Sequence, residues 1–224
     1  PNFLQQQIQV VLEDIGTDSI KIGMLHNPEL IDVVASAIEG LSQPKVVLDP
    51  VMVSASGHWL ISPGSNQSLV TRLFPLVSLI TPNLHEAQLL SKRQITSESQ
   101  MRSAAERLLE LGAKAVLLKG GHLPGEKVTD IFLNKEGEFL QLEAPRIHTR
   151  NTHGTGCTLS TAIAAFLAQN NSLATAIKQA HIYVQQALLG GQYLGIGKGN
   201  GPLNHSFAPV LMKMEPNSSA PKAA

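Results

Sequence analysis

A run of small and polar residues at positions 151–160 holds the residue types best suited to chemistry. Its sequence is Asn-Thr-His-Gly-Thr-Gly-Cys-Thr-Leu-Ser, and it contains Cys157, the only cysteine of the chain. Gly154, Thr155 and Gly156 lie where the chain turns into a predicted helix, and glycine permits a sharp turn and a close approach. The amide groups of a helix's first turn lack partners and lie at the positive end of its dipole. The run therefore predicts an anion site, with phosphate as the usual anion.

Two interpretations of Cys157 remain open on the residues alone. At a helix start the dipole favours the thiolate, which would let the thiol act as a base or a nucleophile. A single cysteine is equally a common buried apolar residue without a chemical role. A Gly-x-Gly turn before a helix is also a weak signal by itself, because most such turns are only turns.

Further polar residues follow the ends of predicted strands, which is where open α/β sheets bind their ligands. They are Asp49, Asn83, Glu86, Lys119 and Gly121, together with Met24 and Val51. Two acids, an amide, a lysine, an anion turn and a thiol are suitable parts for phosphoryl transfer. That reaction needs positioning, cations against the phosphates and an acceptor for the proton of the attacking hydroxyl group.

Each of these residues also has an ordinary structural interpretation. Glu86 lies three residues after Asn83, so both can face one point on a helix, and their oxygens suit Mg²⁺. The alternative is an exposed helix start at which a glutamate complements the dipole. Lys119 is either a cation aimed at a phosphate or the polar end of a strand. Asp49 is either a turn residue before Pro50 or a group that helps to position Mg²⁺ and a nucleotide.

The elements that must position these residues alternate between strand and helix. We predict helices at 3–15, 27–40, 66–73, 83–91, 97–111, 158–168 and 172–189, and strands at 19–25, 45–49, 77–81, 114–119, 128–133 and 139–142. The first four strands are apolar on both faces, which favours a parallel sheet covered by helices on each side. The last two predict a hairpin at its edge. Ser97 and Gln100 predict a capping box, and Gly190 and Gly191 predict a loop.

Composition narrows the class of partner. The 224 residues suit one domain, and 43% hydrophobic residues are enough for a substantial core. With 17 basic and 17 acidic residues the net charge is +0, so we expect small-molecule partners rather than nucleic acid or a membrane surface. One cysteine excludes an intrachain disulfide and fits a reducing compartment. We find neither a signal peptide nor an apolar run of membrane-spanning length, which together predict a cytoplasmic protein.

The run at 151–160 resembles the signature of the hydroxymethylpyrimidine/phosphomethylpyrimidine kinases, in the ribokinase-like superfamily. Other stretches resemble the same family in the same order, at 21–25, 47–52, 79–83 with Glu86, 119–122 and 199–202. The resemblance implies a three-layer α/β/α fold with a mostly parallel sheet and an antiparallel edge hairpin. It places one kinase domain at 1–210. The end of the chain is rich in Pro, Ser and Ala, which predicts a disordered tail at 211–224.

The resemblance also implies an activity. Members of this family use ATP and Mg²⁺ to phosphorylate 4-amino-5-hydroxymethyl-2-methylpyrimidine and then its monophosphate, in thiamine synthesis, and family habit favours a homodimer. Cys157 would take the proton of the hydroxymethyl group, in place of the aspartate that many superfamily members carry. The implied catalytic partners of Cys157 are Gly154, Thr155, Gly156 and Lys119. The implied nucleotide-binding residues are Asn83, Glu86, Gly121 and Asp49, and of these Glu86 and Asp49 would also bind the metal ion. Met24 and Val51 would line the pyrimidine pocket.

One departure from the family is serious. The family begins with a segment that holds a first strand and a Gly-rich substrate loop, and the chain starts after it. We therefore expect an N-terminally incomplete domain that lacks on the order of 30 residues or more. Two alternatives stay open: a pyridoxal or pyridoxine-type kinase, and a catalytically inactive nucleotide-binding fragment or partner subunit.

Overall fold

A mixed sheet forms the centre of the protein. The computed structural model describes residues 1–53 and 58–211, and in this part of the chain the sheet has six strands. They are β1 (Ile20–Ile22), β2 (Val46–Leu48), β3 (Leu79–Ile80), β4 (Ala115–Leu118), β5 (Lys127–Asn134) and β6 (Phe139–Pro145). The strands lie side by side in chain order; β1 to β4 are parallel, and β5 and β6 add antiparallel pairs. The predicted mostly parallel sheet with an edge hairpin is confirmed.

Helices connect and cover the strands. They are α1 (Asn2–Asp14), α2 (Pro28–Glu39), α3 (Ser65–Ser68), α4 (Leu84–Ser91), α5 (Glu98–Glu110), α6 (Thr155–Ala168) and α7 (Leu173–Gly191), and a π-helical turn at Leu69–Leu73 continues α3. The start of α2 shows the local cause: Asn27 Oδ1 accepts the amide of Leu30, and Pro28 occupies the first helical position. Ser172 caps α7 in the same way, through the amide of Thr175.

The core lies in two layers, one on each face of the sheet. On one face the strand residues Val46, Leu48, Ile80, Val116 and Leu118 pack with buried side chains of α2, α4 and α5. On the other face Val47, Leu79, Ala115, Leu117 and Phe132 pack with α6 and α7. Because successive side chains of a strand point to opposite faces, strands buried on both sides must be apolar throughout. The predicted three-layer α/β/α arrangement is confirmed.

Two predicted helix boundaries were wrong. Helix α6 begins at Thr155 rather than at 158, and α7 continues through Gly190 and Gly191, where we expected a loop. These two glycines provide room for the returning chain. A Cβ atom on Gly191 would lie 2.9 Å from the backbone nitrogen of Asn204, so only glycine fits at this point of the helix.

The predicted capping box was also assigned to the wrong helix. Ser97 Oγ accepts the amide of Gln100 at 3.4 Å, but the Gln100 side chain accepts the amide of Thr96 instead of completing the box. The reciprocal pair occurs at α4, where Asn83 Oδ1 accepts the amide of Glu86 at 3.0 Å and Glu86 Oε2 accepts that of Asn83 at 2.7 Å.

Three predicted strands differ from the structure in length, and two predicted segments lie partly or almost wholly outside the described residues. The strands β1, β2 and β3 are shorter than predicted, because the chain leaves the sheet soon after its buried residues. The predicted loop at 51–57 lies partly outside the described residues, and so does nearly all of the predicted tail at 211–224. Within 1–53 and 58–211 no helix combines the length and apolar character needed to cross a membrane.

Candidate active site

Lys119 and Asp49 form an ion pair at the carboxyl edge of the sheet. Lys119 directly follows β4 and Asp49 directly follows β2, and the Lys119 Nζ atom lies 2.9 Å from Asp49 Oδ1. The lysine side chain is 14% exposed and the aspartate side chain 2% exposed. Since parallel strands end at the same edge, the sheet brings together two residues that are 70 positions apart.

Asp49 has two further partners that the sequence did not reveal. Thr81 Oγ1 donates to Asp49 Oδ1 at 3.2 Å, and Ser160 Oγ donates to Oδ2 at 3.3 Å. Thr81 follows β3 and Ser160 lies in α6, so the carboxylate joins two strand ends to the helix. Ser160 lies one turn after Gly156, and this helical spacing was the signal that could have identified it.

The first turn of α6 approaches Lys119 closely. Gly154 adopts a left-handed conformation with φ +84° and gives the helix no side-chain cap. The first helical amide, that of Thr155, donates to the carbonyl oxygen of Thr152 at 3.3 Å, and the amides of the next residues in this turn are available to a ligand. A Cβ atom on Gly156 would lie 3.0 Å from Lys119 Nζ and 4.0 Å from Asp49 Oδ2. Glycine thus allows an ammonium group and the positive end of a helix to meet, which is a suitable environment for phosphate oxygens.

Cys157 lies in this first turn, at the helix start as predicted, and its side chain is exposed rather than buried. It forms one end of a cavity of about 860 Å³ between α6 and α7, whose other walls include Phe166 and Tyr183. The hydroxyl group of its neighbour Thr155 donates to the carbonyl oxygen of Thr152 at 2.7 Å, so that side chain shapes the turn. Exposure leaves the thiol accessible to a substrate, and its role as a base stays a prediction.

Glu86 is a buried carboxylate beside Lys119. Burial raises its pKa from 4.5 to about 7, against the opposing influence of the Lys119 charge and of hydrogen bonds from backbone amides. Asn83 pairs with Lys119 across the ends of β3 and β4, and its side chain caps α4. Both side chains cap α4, but Glu86 is only 3% exposed, so the alternative of an exposed helix start is wrong in that respect. Contact of these residues with a nucleotide stays a prediction.

Metal binding by Glu86 and Asp49 stays a prediction. The Asp49 charge contributes to the raised pKa of Glu86, whereas the Lys119 ammonium group opposes it. Lys119 also forms the ion pair with Asp49. A carboxylate whose pKa is raised by burial lacks full charge compensation, which a divalent cation would supply. In the part of the chain that the structure describes, no group of three or more His, Cys, Asp or Glu side chains forms a metal cage. Mg²⁺ held by one or two carboxylates and by substrate phosphates fits this arrangement.

Gly121 lies in a turn that Arg146 holds in place. The guanidinium group donates to three carbonyl oxygens of this turn, those of Gly121 at 2.9 Å, Leu123 at 2.5 Å and Gly125 at 2.6 Å. Sequence reasoning did not identify Arg146, because a single arginine at the end of an edge strand carries no motif. The turn is therefore ordered beside Lys119, where a nucleotide-binding role for Gly121 was predicted.

Met24 and Val51 lie at the same edge of the sheet. Met24 follows β1 and is 46% exposed, and Val51 follows β2, with its amide bonded to the carbonyl oxygen of Asp49 at 2.8 Å. The structure therefore places both near the end of the sheet that carries Asp49. Their predicted contact with a pyrimidine ring stays a prediction.

The loop that precedes α6 is tied to the chain after α7. Asn151 is buried, and its Nδ2 atom donates to the carbonyl oxygens of Gly191 at 2.7 Å and Leu194 at 2.8 Å. The amide of His153 donates to the carbonyl oxygen of Gly201 at 3.1 Å. These bonds fix the direction from which the chain enters the glycine turn.

Solved structures with a similar fold define the class of protein. A pyridoxal kinase of Staphylococcus aureus in complex with AMP-PCP superposes with a TM-score of 0.83 at 31% identity, covering 92% of this chain and 73% of that one. A phosphomethylpyrimidine kinase of Clostridium difficile gives a TM-score of 0.70 at 35% identity, covering 84% of this chain and 76% of that one. The fold is that of the ribokinase-like kinases.

Within this class the chain belongs to the phosphomethylpyrimidine kinase family, whose model matches residues 1–204. It is 41% identical over 209 residues to the hydroxymethylpyrimidine/phosphomethylpyrimidine kinase of Salmonella typhimurium, covering 93% of this chain and 78% of that protein. It is 44% identical over 208 residues to the thiamine biosynthesis bifunctional protein ThiED of Geobacter sulfurreducens, covering 93% of this chain but 42% of that protein. The predicted family is confirmed, and the chain is shorter than these relatives.

Proposed function

We propose that this protein transfers a phosphoryl group from ATP to 4-amino-5-hydroxymethyl-2-methylpyrimidine and then to its monophosphate, in the synthesis of thiamine diphosphate. The observation that carries the proposal is the position of the Lys119 ammonium group against the first turn of α6. Curated relatives at 41% and 42% identity, from Salmonella typhimurium and Escherichia coli, are named as kinases for these two substrates.

The site supplies what phosphoryl transfer requires. The amide groups at the start of α6 and the Lys119 ammonium group receive the oxygens of the transferred phosphoryl group and stabilise the charge that spreads over them. Gly156 permits this convergence because it has no side chain between the helix and Nζ. Asp49 holds the lysine in place through the ion pair at 2.9 Å.

Cys157 is the proposed base. The thiolate, which the helix dipole favours, takes the proton from the hydroxymethyl group of the pyrimidine as its oxygen attacks the phosphorus atom. Its exposed position at the same helix tip brings the proton acceptor and the phosphoryl site onto one turn of α6. Met24 and Val51 would contact the pyrimidine ring at the ends of β1 and β2.

Asn83, Glu86, Gly121 and Asp49 complete the proposed nucleotide site, and Glu86 and Asp49 would hold Mg²⁺ together with the phosphates. When bound, the metal ion neutralises phosphate charge. The buried, undercompensated carboxylate of Glu86 supports this assignment. The turn that Arg146 holds would present Gly121 to the nucleotide.

The deciding experiment is ADP release with the hydroxymethylpyrimidine, its monophosphate and pyridoxal offered separately, with the products identified by mass spectrometry. We expect release with both pyrimidines and formation of the monophosphate and diphosphate. Release with pyridoxal alone would contradict the proposal and establish a pyridoxal-type kinase. No release with any substrate, together with retained ATP binding, would establish an inactive nucleotide-binding protein.

A pyridoxal kinase is the second candidate, on one specific observation. The pyridoxal kinase of Staphylococcus aureus superposes with a TM-score of 0.83, against 0.70 for the phosphomethylpyrimidine kinase of Clostridium difficile. Pyridoxal is also a flat ring with a hydroxymethyl group, so the same base and phosphate site would serve it. Sequence identity favours the pyrimidine, with 35% against 31% for these two structures.

The proposal also covers the localisation, the oligomeric state and the domain organisation of the enzyme. We infer a cytoplasmic homodimer with a single kinase domain at 1–210. Light scattering coupled to size exclusion tests the dimer, which should have twice the chain mass of 24.0 kDa. A mass of one chain across the micromolar range would contradict it.

A further inference from the structure

Asp130 and His181 form a buried pair beside the site that the proposed mechanism does not use. Asp130 lies on β5 and His181 on α7. The His181 Nε2 atom lies 3.9 Å from Asp130 Oδ2, and the side chains are 13% and 9% exposed. Two ionisable groups enclosed between a strand and a helix are costly to bury unless each serves the other.

The alternation of β5 explains why Asp130 faces α7. Its neighbours Thr129 and Ile131 point to the opposite face, where Thr129 Oγ1 donates to Glu98 at 2.7 Å on α5. Phe132 lies two residues after Asp130, so its side chain is on the same face of β5 as that of Asp130, and it packs with α6 and α7. An aspartate therefore occupies a position that this face otherwise fills with apolar side chains.

Asp130 bonds the turn that follows Lys119. Its Oδ1 atom accepts the amide of Gly120 at 2.8 Å. Gly120 is pressed against β5 so closely that a Cβ atom would overlap the carbonyl oxygen of Thr129. The peptide that joins Lys119 to Gly120 is thus fixed by a carboxylate on one side and a backbone on the other.

His181 is the neighbour that can stabilise this carboxylate. Among the described residues its Nε2 atom is one of three buried side-chain nitrogen or oxygen atoms without a hydrogen-bond partner. At 3.9 Å from Asp130 Oδ2 this atom is beyond hydrogen-bond distance but within the range of an electrostatic contact. Burial raises the pKa of Asp130, and the charges of His181 and Lys119 oppose that rise. Lys119 already forms an ion pair with Asp49, so His181 is the neighbour that remains to stabilise the carboxylate of Asp130.

We propose that Asp130 and His181 are positioning residues, which together hold the amide of Gly120 and so set Lys119 and Gly121 for the nucleotide. The chain of contacts runs from α7 through β5 to the end of β4. The inference rests on the proposed function, because it assigns this turn to nucleotide binding.

The test compares His181→Gln, which keeps size, with His181→Lys, which keeps a cation, and with Asp130→Asn. His148→Gln is the matched control, because it changes a histidine–carboxylate pair that is exposed, with Glu126 at 2.9 Å. Thermal unfolding first establishes that every variant folds. Amide hydrogen exchange at Gly120 then reports the bond itself, and the Kd for AMP-PCP and the KM for ATP report its consequence.

We expect faster exchange at Gly120 and an about tenfold rise in Kd and KM for His181→Gln and Asp130→Asn, as for the loss of the charge-assisted hydrogen bond from Gly120. We also expect a lower kcat, because a displaced Lys119 would no longer stabilise the transferred phosphoryl group fully. His181→Lys should restore most of the affinity, and the control should leave it unchanged. Unchanged exchange, unchanged Kd, or a lysine variant as weak as the glutamine variant overturns the inference alone. Wild-type protein that binds no nucleotide overturns the proposed function, and the inference with it.

Discussion

Cys157 and Ser160 lie one turn apart on α6 and serve opposite ends of the site. Ser160 Oγ reaches the buried Asp49, whereas Cys157 remains exposed at the helix tip. One side chain fixes the charge that holds Lys119, and the other is left for a substrate. Because the two side chains have different partners, substituting each one separately would distinguish the positioning of Lys119 from proton transfer.

Replacing Cys157 with alanine should lower kcat by about 10²- to 10⁴-fold, the usual contribution of a positioned base. Nucleotide affinity should change little, because the phosphate site consists of backbone amides and Lys119. Steady-state ADP release gives kcat, and calorimetry with AMP-PCP gives the affinity. Unchanged turnover would remove the assignment of Cys157 as the base.

Glu86 should make stability depend on pH in a defined window. Its pKa in the folded protein is about 7, above the ordinary 4.5, so the folded state binds more protons than the unfolded state between these values. The free energy of unfolding that this group contributes is therefore fully present below about pH 4.5, falls as the pH rises, and is lost above about pH 7.

Glu86→Gln should remove this decline, which amounts to about 3 kcal/mol at 1.36 kcal/mol per pKa unit. Glutamine can still accept the amide of Asn83, so the cap of α4 is kept. Urea unfolding of both proteins at intervals from pH 4.5 to 8, with EDTA and without nucleotide, measures the difference. A difference between the two proteins that does not vary with pH would show that the carboxylate is not titrating in this range.

At the scale of elements, Gly154 before α6 and Gly156 inside it are glycines for different physical reasons. Gly154 adopts φ +84°, and a Cβ atom there would meet no other atom within 4 Å, so its need for glycine is purely conformational. Gly156 is helical, and its need for glycine is the space that Lys119 Nζ occupies 3.0 Å away. The same residue type thus serves backbone shape at one position and close approach at the other.

Alanine at each position should separate these effects. Gly154→Ala should lower the free energy of unfolding by about 1–2 kcal/mol through left-handed strain. Gly156→Ala should leave stability unchanged or raise it by up to about 1 kcal/mol through helix propensity, but weaken nucleotide binding by displacing the lysine. Urea unfolding and calorimetry with AMP-PCP measure both. Equal losses of stability in the two variants would contradict this assignment.

The sequence predicted the order and type of the elements because apolar strands, caps and glycine stops are local signals. It also predicted that Asp49, Lys119 and the turn at 154–156 would meet, since parallel strands end at one edge. It did not predict Arg146, Asp130 or Ser160, whose roles arise from contacts between distant segments. Gly190 and Gly191 were misassigned because a glycine chosen for packing resembles a glycine chosen for a turn.

At the scale of the whole molecule, one sheet joins both layers of the core. Leu117 and Leu118 are adjacent on β4 but belong to opposite layers. Lys45, just before β2, adds a link by donating to the carbonyl oxygen of Leu167 at 3.0 Å, near the end of α6. The two core layers share the same strands, so unfolding of one layer would also expose the apolar residues of the other.

The predicted single domain should therefore unfold in one transition. Far-ultraviolet circular dichroism, which reports the helices, and fluorescence of Trp59, the only tryptophan, should give coincident urea midpoints. Phe132→Ala, in the layer with α6 and α7, should lower both midpoints together, with a cost of about 3–5 kcal/mol. Separate midpoints would indicate two independently folding units.

The ammonium group of Lys119 has an anion at 2.9 Å before any nucleotide is present. In the proposed mechanism, an arriving phosphate competes with Asp49 for this cation, so ATP gains only the difference between two attractions. The same rivalry acts when ADP departs, because the aspartate recaptures the lysine at once. We therefore expect the proposed site to bind its nucleotide less tightly than an unpaired lysine would, which favours release of the product.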